Sequence, residues 1–299
     1  MNADNLKKEI KRIRIGHVAL LLAGIFVAFS VLGGTLLLAG GWRFGNLINN
    51  SGSISFGPGQ TYDVNDRQEL DLEGVEAISI VAVSDDPVLV AGGKKVVAEL
   101  KGRCRSTGGP VSLDARKAGS TLIIEVKYPI TSSVIDTTLT ITIPESFAGD
   151  LQVSTTSGDV TGMGLPFRLG NVDLHTVSGD IDFNVAGWSR LVAGTVSGRV
   201  RLTGVASDTT VKTTSGDVSL EYAAFAKTTV STVSGGVKAA IPDGDGFIVD
   251  FSSTSGDFMS SHPALKISGA DGGFYGAANG GNAALKVNTT SGDLDVYGK

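Results

Sequence analysis

The sequence predicts an all-β chain: a parallel β-solenoid of stacked strand–corner–strand repeats of about 19 residues, preceded by one N-terminal transmembrane helix. Three observations predict it. One phrase, Thr/Ser-x-Ser-Gly-Asp-apolar or a near copy, recurs seven times, with its glycine at 158, 179, 198, 216, 235, 256 and 292. Apolar and polar residues alternate on both sides of each copy. A run without Asp, Glu, Lys or Arg separates Arg14 from Arg43.

Residues 1–15 form a basic flank, with Lys7, Lys8, Lys11, Arg12 and Arg14 against Asp4 and Glu9. Positive charge beside an apolar span stays in the cytoplasm, so this flank is expected inside the cell. Residues 16–42 exceed the ~20 apolar residues that cross a bilayer and the roughly 7–15 of a signal-peptide core. They are expected to form an uncleaved anchor; a signal peptide cleaved near Ala39-Gly40-Gly41 is the alternative. Residues 43–68, with Asn49-Asn50-Ser51-Gly52 and Gly57-Pro58-Gly59, read as a flexible linker.

Residues 69–150 are expected to form an N-terminal β segment. Ala77 to Ser84 alternates, Asp85-Asp86-Pro87 occupies a corner and Val88 resumes the strand, so this is a worn copy of the repeat. Val96–Leu100, Val111–Leu113, Leu122–Val126 and Thr138–Ile143 add four strand candidates. Residues 151–299 carry the repeats. Two positions before each motif serine stands Thr155, Thr176, Thr195, Thr213, Thr232, Ser253 or Thr289. Apolar residues recur four positions before the serine and three after it, as at Val153 and Val160, which is a strand with one buried face on each side.

The corner glycines are expected at positive φ, with Ser and Asp bonding nearby backbone. Steps between glycines run 21, 19, 18, 19, 21 and 36, so the last is expected to hide a degenerate copy at Ser268-Gly269-Ala270-Asp271. Antiparallel hairpins could give the same period and are the alternative fold. Stacking would align Asp159, Asp180, Asp217, Asp257 and Asp293, interrupted by Arg199 and Gly236. A calcium ladder is disfavoured, because calcium-binding solenoids repeat every nine residues or so with glycine-richer turns.

Composition narrows function. Removing the flank's five basic and two acidic residues leaves 20 basic and 28 acidic, a net of −8. No basic stripe offers itself to nucleic acid, which is excluded as a partner. Cys104, the single cysteine, alternates onto the face of Leu100 and is expected to be a buried, inert thiol. Asp180 with Asp182, and Asp293 with Asp295, could pair as acid and base, but aspartates two apart on a strand are ordinarily solvated. No catalytic residue, metal ligand or cofactor is expected.

The TTSGDV-type corners, with the worn ISIVAVSDDPVLV unit upstream, resemble the bacterial putative-adhesin family of β-strand repeats, a domain of unknown function. The resemblance covers roughly residues 70–299. An anchor before such repeats is similar to the LiaG-type proteins encoded near envelope-stress signalling systems. The resemblance implies a surface-exposed β-solenoid without established catalytic residues. The expectation is a non-catalytic binding or scaffold module of the bacterial cell envelope. It would sit in the cell membrane as a single-pass protein, N-terminus cytoplasmic and repeats extracytoplasmic. Its partners would be the lipid bilayer, through the N-terminal helix, and an envelope protein or polysaccharide. An accessory regulator of envelope-stress signalling is the alternative, and a polysaccharide-modifying enzyme a remote one.

Overall fold

The computed structural model describes residues 59–129, 132–205, 207–270 and 273–299. The expected anchor over 16–42, the basic flank and most of the linker lie outside the described residues. Among the described residues no helix is long and apolar enough to cross a membrane. The regular elements there are strands, 21 of them. The fold is all-β.

The pairings arrange the strands in two walls. Wall one runs β5 (Ser112–Ala118), β6 (Thr121–Lys127), β2 (Ala77–Val81), β8 (Asp150–Ser154), then the second halves of β9 (Val160–His175) and β10 (Ile181–Gly194). It continues through β12 (Asp208–Lys212), β14 (Lys227–Ser231), β20 (Ala283–Asn288), β16 (Phe247–Ser252), β19 (Gly273–Ala278) and β18 (Lys266–Ala270). Wall two begins with β1 (Gln60–Leu70), β4 (Val96–Ser106), β7 (Ser132–Ile143) and β3 (Asp86–Ala91). It then passes through the first halves of β9 and β10 to β11 (Val200–Val205), β13 (Val218–Ala224), β15 (Val237–Ile241), β21 (Leu294–Gly298) and β17 (Phe258–Ser260).

Strands of successive motif copies pair parallel and in register: Ile181 with Val200, Val200 with Val218, Val218 with Val237. The register follows from the alternation, because a one-residue slip would turn every buried valine outward. Alternate residues of both walls meet in one core, including Val153, Leu174, Ala193, Val211 and Val230 from wall one and Ile181, Val200, Leu220 and Val237 from wall two. Polar links cross it. The Trp188 indole donates to Thr209 Oγ1 at 3.0 Å, and the Tyr222 and Thr228 hydroxyls bond at 2.9 Å.

The stacking order departs from chain order at both ends. The worn copy β2–β3 lies between β6–β7 and β8–β9, and the last copy, β20–β21, lies between β14–β15 and β16–β17. The long final step therefore contains no extra corner. Ser268–Ala270 belong to β18, an antiparallel strand on β19, so the expected degenerate copy is replaced by a hairpin that covers the edge of β16. Antiparallel strands likewise flank the other end, β5 on β6 and β4 with β1 on β7. Gln60–Leu70 is a strand that begins inside the range read as linker, 43–68. Tyr62 and Val64 supply its inward positions, and Asp63, Asp66, Arg67 and Glu69 had obscured the alternation.

Candidate functional site: the column of corners

Each motif sits where the chain leaves wall one and enters wall two. Its threonine is buried: Thr176, Thr195 and Thr213 are each 1% exposed. The hydroxyl accepts from the glycine amide three residues on, at 3.2 Å in Gly158, 3.1 Å in Gly179 and 3.0 Å in Gly216. It also donates down the stack, Thr176 Oγ1 to Gly158 O at 3.1 Å and Thr195 Oγ1 to Gly179 O at 3.2 Å. A hydroxyl donates and accepts at once, so serine substitutes at 253 and an apolar residue would not.

The corner glycines do not adopt positive φ. Close approach requires them instead. A Cβ built on Gly179, Gly198 or Gly216 would lie 2.0, 1.7 or 1.6 Å from the carbonyl oxygen of the preceding copy's glycine. The aspartates likewise do more than shape a solvated turn. Asp159 Oδ1 accepts from Asp180 N at 2.7 Å, Asp180 Oδ1 from Arg199 N at 2.7 Å, Asp217 Oδ1 from Gly236 N at 3.0 Å and Asp293 Oδ1 from Asp257 N at 2.8 Å. Each carboxylate holds the amide of the neighbouring copy, a charge-assisted bond that offsets the repulsion along the column. Arg199 and Gly236 can receive such a bond but cannot pass one on, which explains how the column tolerates them.

The worn copy heads the column. Asp159 N donates to Asp86 Oδ1 at 2.9 Å, and Thr155 Oγ1 to Val83 O at 3.2 Å. Asp85 stands in the glycine position with its carbonyl against Gly158, and its fully buried carboxyl receives the Tyr128 and Thr137 hydroxyls. Tyr128 Oη in turn accepts from Val83 N at 2.9 Å. Burial pushes the Asp85 carboxyl above its ordinary value, against the lowering effect of the two hydroxyl bonds. Burial and the neighbouring Asp85 charge also raise the Tyr128 phenol.

An acid whose folded pKa is raised binds more protons folded than unfolded. Asp85 thus lowers stability as pH rises from about 4 through its folded pKa. We expect the unfolding free energy of the wild type, minus that of Asp85→Asn, to fall over that window in urea titrations. A flat or rising difference would show that the carboxyl is not buried as described.

The other residues singled out by chemistry are placed as follows. Asp182 pairs with Arg201 at 3.1 Å on the outward face, and Asp180 and Asp293 hold amides, so neither carboxylate pair converges on a common point. His175 Nε2 meets Asp173 Oδ1 at 2.5 Å, its ring lying over Gly194. Cys104 is buried and its Sγ accepts from Val111 N at 3.4 Å. Among the described residues no group of three or more His, Cys, Asp or Glu could hold a metal ion. The amide-holding role of the aspartates was missed from sequence; the signal was there in their fixed place after each close-packed glycine.

The Toastrack DUF4097 family profile matches twice, over residues 77–206 and 148–297. The chain belongs to the Toastrack DUF4097 family. In this Toastrack chain the matched span takes in all seven motif copies and the worn one. No match was found among curated proteins. Solved structures similar to the Toastrack chain include a putative adhesin from Bacteroides fragilis, 11% identical, TM-score 0.45, over 80% of this chain and 97% of that one. Another is a putative cell adhesion protein from Clostridium sporogenes, 11% identical, TM-score 0.38, over 80% and 100%. A third is a putative lipid binding protein from Parabacteroides distasonis, 12% identical, TM-score 0.36, over 81% and 97%.

Proposed function

We propose that this chain is a membrane-anchored, extracytoplasmic β-solenoid that serves the bacterial cell envelope as a non-catalytic binding or scaffold module. The solenoid reading is supported by the parallel register that repeats from Val160 through Ile181, Val200, Val218, Val237 and Leu294. The anchor reading rests on the charge-free run after Arg14, and the outward orientation on the five basic residues before it.

One observation carries the binding reading. Register sets Ser79, Gln152, Asp173, Val192, Thr210, Thr229, Lys286 and Asp250 in a single line across the outward face of wall one. Neighbouring strands lie about 4.8 Å apart, so this line offers mostly polar side chains at one short, constant spacing. A long partner with its own repeat, such as a neutral envelope polysaccharide, can follow such a line. Polyanionic polymers are disfavoured by the net charge of −8 beyond the flank.

Protease added to intact cells stripped of their wall should remove the repeats and leave a small membrane-embedded fragment. Full-length protected protein would contradict the topology, and a mature chain released near Trp42 would contradict the anchor. The full chain in detergent should also co-sediment with purified neutral wall polysaccharide, and charge substitutions at Thr210 and Thr229 should abolish this. Sedimentation unaffected by those substitutions would move binding off this face.

A further inference from the structure

The two walls do not end together at the C-terminal end of the stack. Beyond β14, wall one continues through four strands, β20, β16, β19 and β18. Beyond β15, wall two continues through only two, β21 and the three-residue β17. Wall one therefore overhangs by a two-strand shelf. The opposite end has a smaller mismatch, and side chains close it. There the Asp66 carboxylate accepts from Leu113 N at 2.8 Å, and Gln68 accepts from Ala115 N at 3.0 Å and donates to Leu113 O at 2.6 Å. That ties β1 to β5.

At the C-terminal end the shelf is closed only in part. The loop over 261–265 crosses between the walls from the end away from the corners, with His262 buried and Leu265 reaching Gly276 in the middle of β19, and it leaves Ile267 uncovered. Ile267 pairs with Gly276, between Phe274 and Ala278 on the core side of wall one, yet it is 42% exposed. On the facing wall, Phe258–Ser260 pair with Leu294–Val296 on one side and with no described strand on the other. On the core side of the shelf Ile267 thus stands exposed beside an open strand edge, while Phe274 packs on Phe251 and Phe258 and Ala278 is buried.

The geometry points to a second copy of this chain as the occupant: the C-terminal end of the stack is a self-complementary dimer interface. A two-fold axis parallel to the strands exchanges the walls and reverses the stack while preserving strand direction. The shelf of each copy then fills the two-strand gap beyond β17 of the other. Strands of wall one run toward the corners and those of wall two away from them, so β18 meets the partner's β17 antiparallel, as a hydrogen-bonded ladder allows. Both walls become continuous, and the two Ile267 side chains enter a shared core. This is an isologous contact, closed at two copies.

One further feature fits a second copy better than a single extended peptide. One added strand would fill half of the gap and leave Ile267 uncovered. Charge does not oppose the contact: β17 carries no charged residue, so the exposed Lys266 of the other copy meets no like charge there. Gln60 lies on the corner side in each copy, because β1 runs in the same direction as the wall-two strands. The rotation preserves that side. Gln60 of each copy thus lies on one and the same side of the pair.

The test is sedimentation of the full chain in detergent, combined with crosslinking. The wild type should sediment as a dimer. Copies carrying Met259→Cys, mixed with copies carrying Ser268→Cys, should be joined by a short bis-maleimide, and Met259→Cys copies alone should not; native Cys104 is buried and does not compete. Ile267→Glu should weaken dimerisation at least about tenfold without lowering the melting temperature, since its side chain is exposed in the single copy. A monomer, whether bare or holding an extended peptide at β17, would overturn the inference. So would a dimer that joins two Met259→Cys copies, or one indifferent to Ile267→Glu.

Discussion

Gly216→Ala is expected to cost more than about 4 kcal/mol, enough to leave much of the chain unfolded at ordinary temperature. The added Cβ would fall 1.6 Å from Gly198 O and 2.6 Å from its carbonyl carbon. Both are backbone atoms held by the ladders around them, so no side chain can swing aside. The cause is a collision between neighbouring copies, and the damage passes to both of them. Gly236→Ala is the matched control, only one residue beyond another column glycine. Its Cβ would meet nothing nearer than Asp217 Oδ1 at 3.6 Å, and we expect a change within about 0.5 kcal/mol. Urea midpoints of the two variants decide the matter: equal losses would mean that the corners do not touch.

Trp188→Ala should be the most damaging change in the core, at about 3–5 kcal/mol. Trp188 is fully buried, and its indole donates to Thr209 Oγ1 at 3.0 Å. Gly204 makes room for the ring, since a Cβ there would come within 2.8 Å of it. Deletion leaves a large cavity and removes a donor from the buried Thr209 hydroxyl. Trp188→Phe keeps most of the volume but loses the hydrogen bond, so it should cost less, about 1–3 kcal/mol. Denaturant melts of the pair separate packing from bonding, and equal losses would show that the hydrogen bond dominates.

The strands flanking each corner were legible because one buried face leaves a period of two, as in Leu151, Val153 and Thr155. The worn copy at Ala77–Ala91 was legible for the same reason; its place at the head of the column was not. What stayed hidden was the cause of the constraints. Glycine is demanded both by positive φ and by a backbone carbonyl pressed against the Cα, and a repeated Gly cannot tell the two apart. The aspartates read as turn residues because their partners, the amides of Asp180, Arg199 and Gly236, lie roughly 20 residues away in the chain. The order of the last copies was beyond reach too, since parallel pairing is non-local and the motif at 289 fits either neighbour equally well. The partly uncovered shelf at Ile267 follows from that order and carried no signal of its own.

Distances between spin labels along the exposed motif serines test the central claim, that the corners form one column with the last two copies exchanged. Labels at Ser157 and Ser291 span five steps of the column, and labels at Ser157 and Ser255 span six. With about 4.8 Å per step, double electron–electron resonance should give roughly 24 Å for the first pair and roughly 29 Å for the second. Stacking in chain order would reverse the ranking and put Ser255 nearer to Ser157 than Ser291 is, and that result would contradict the account.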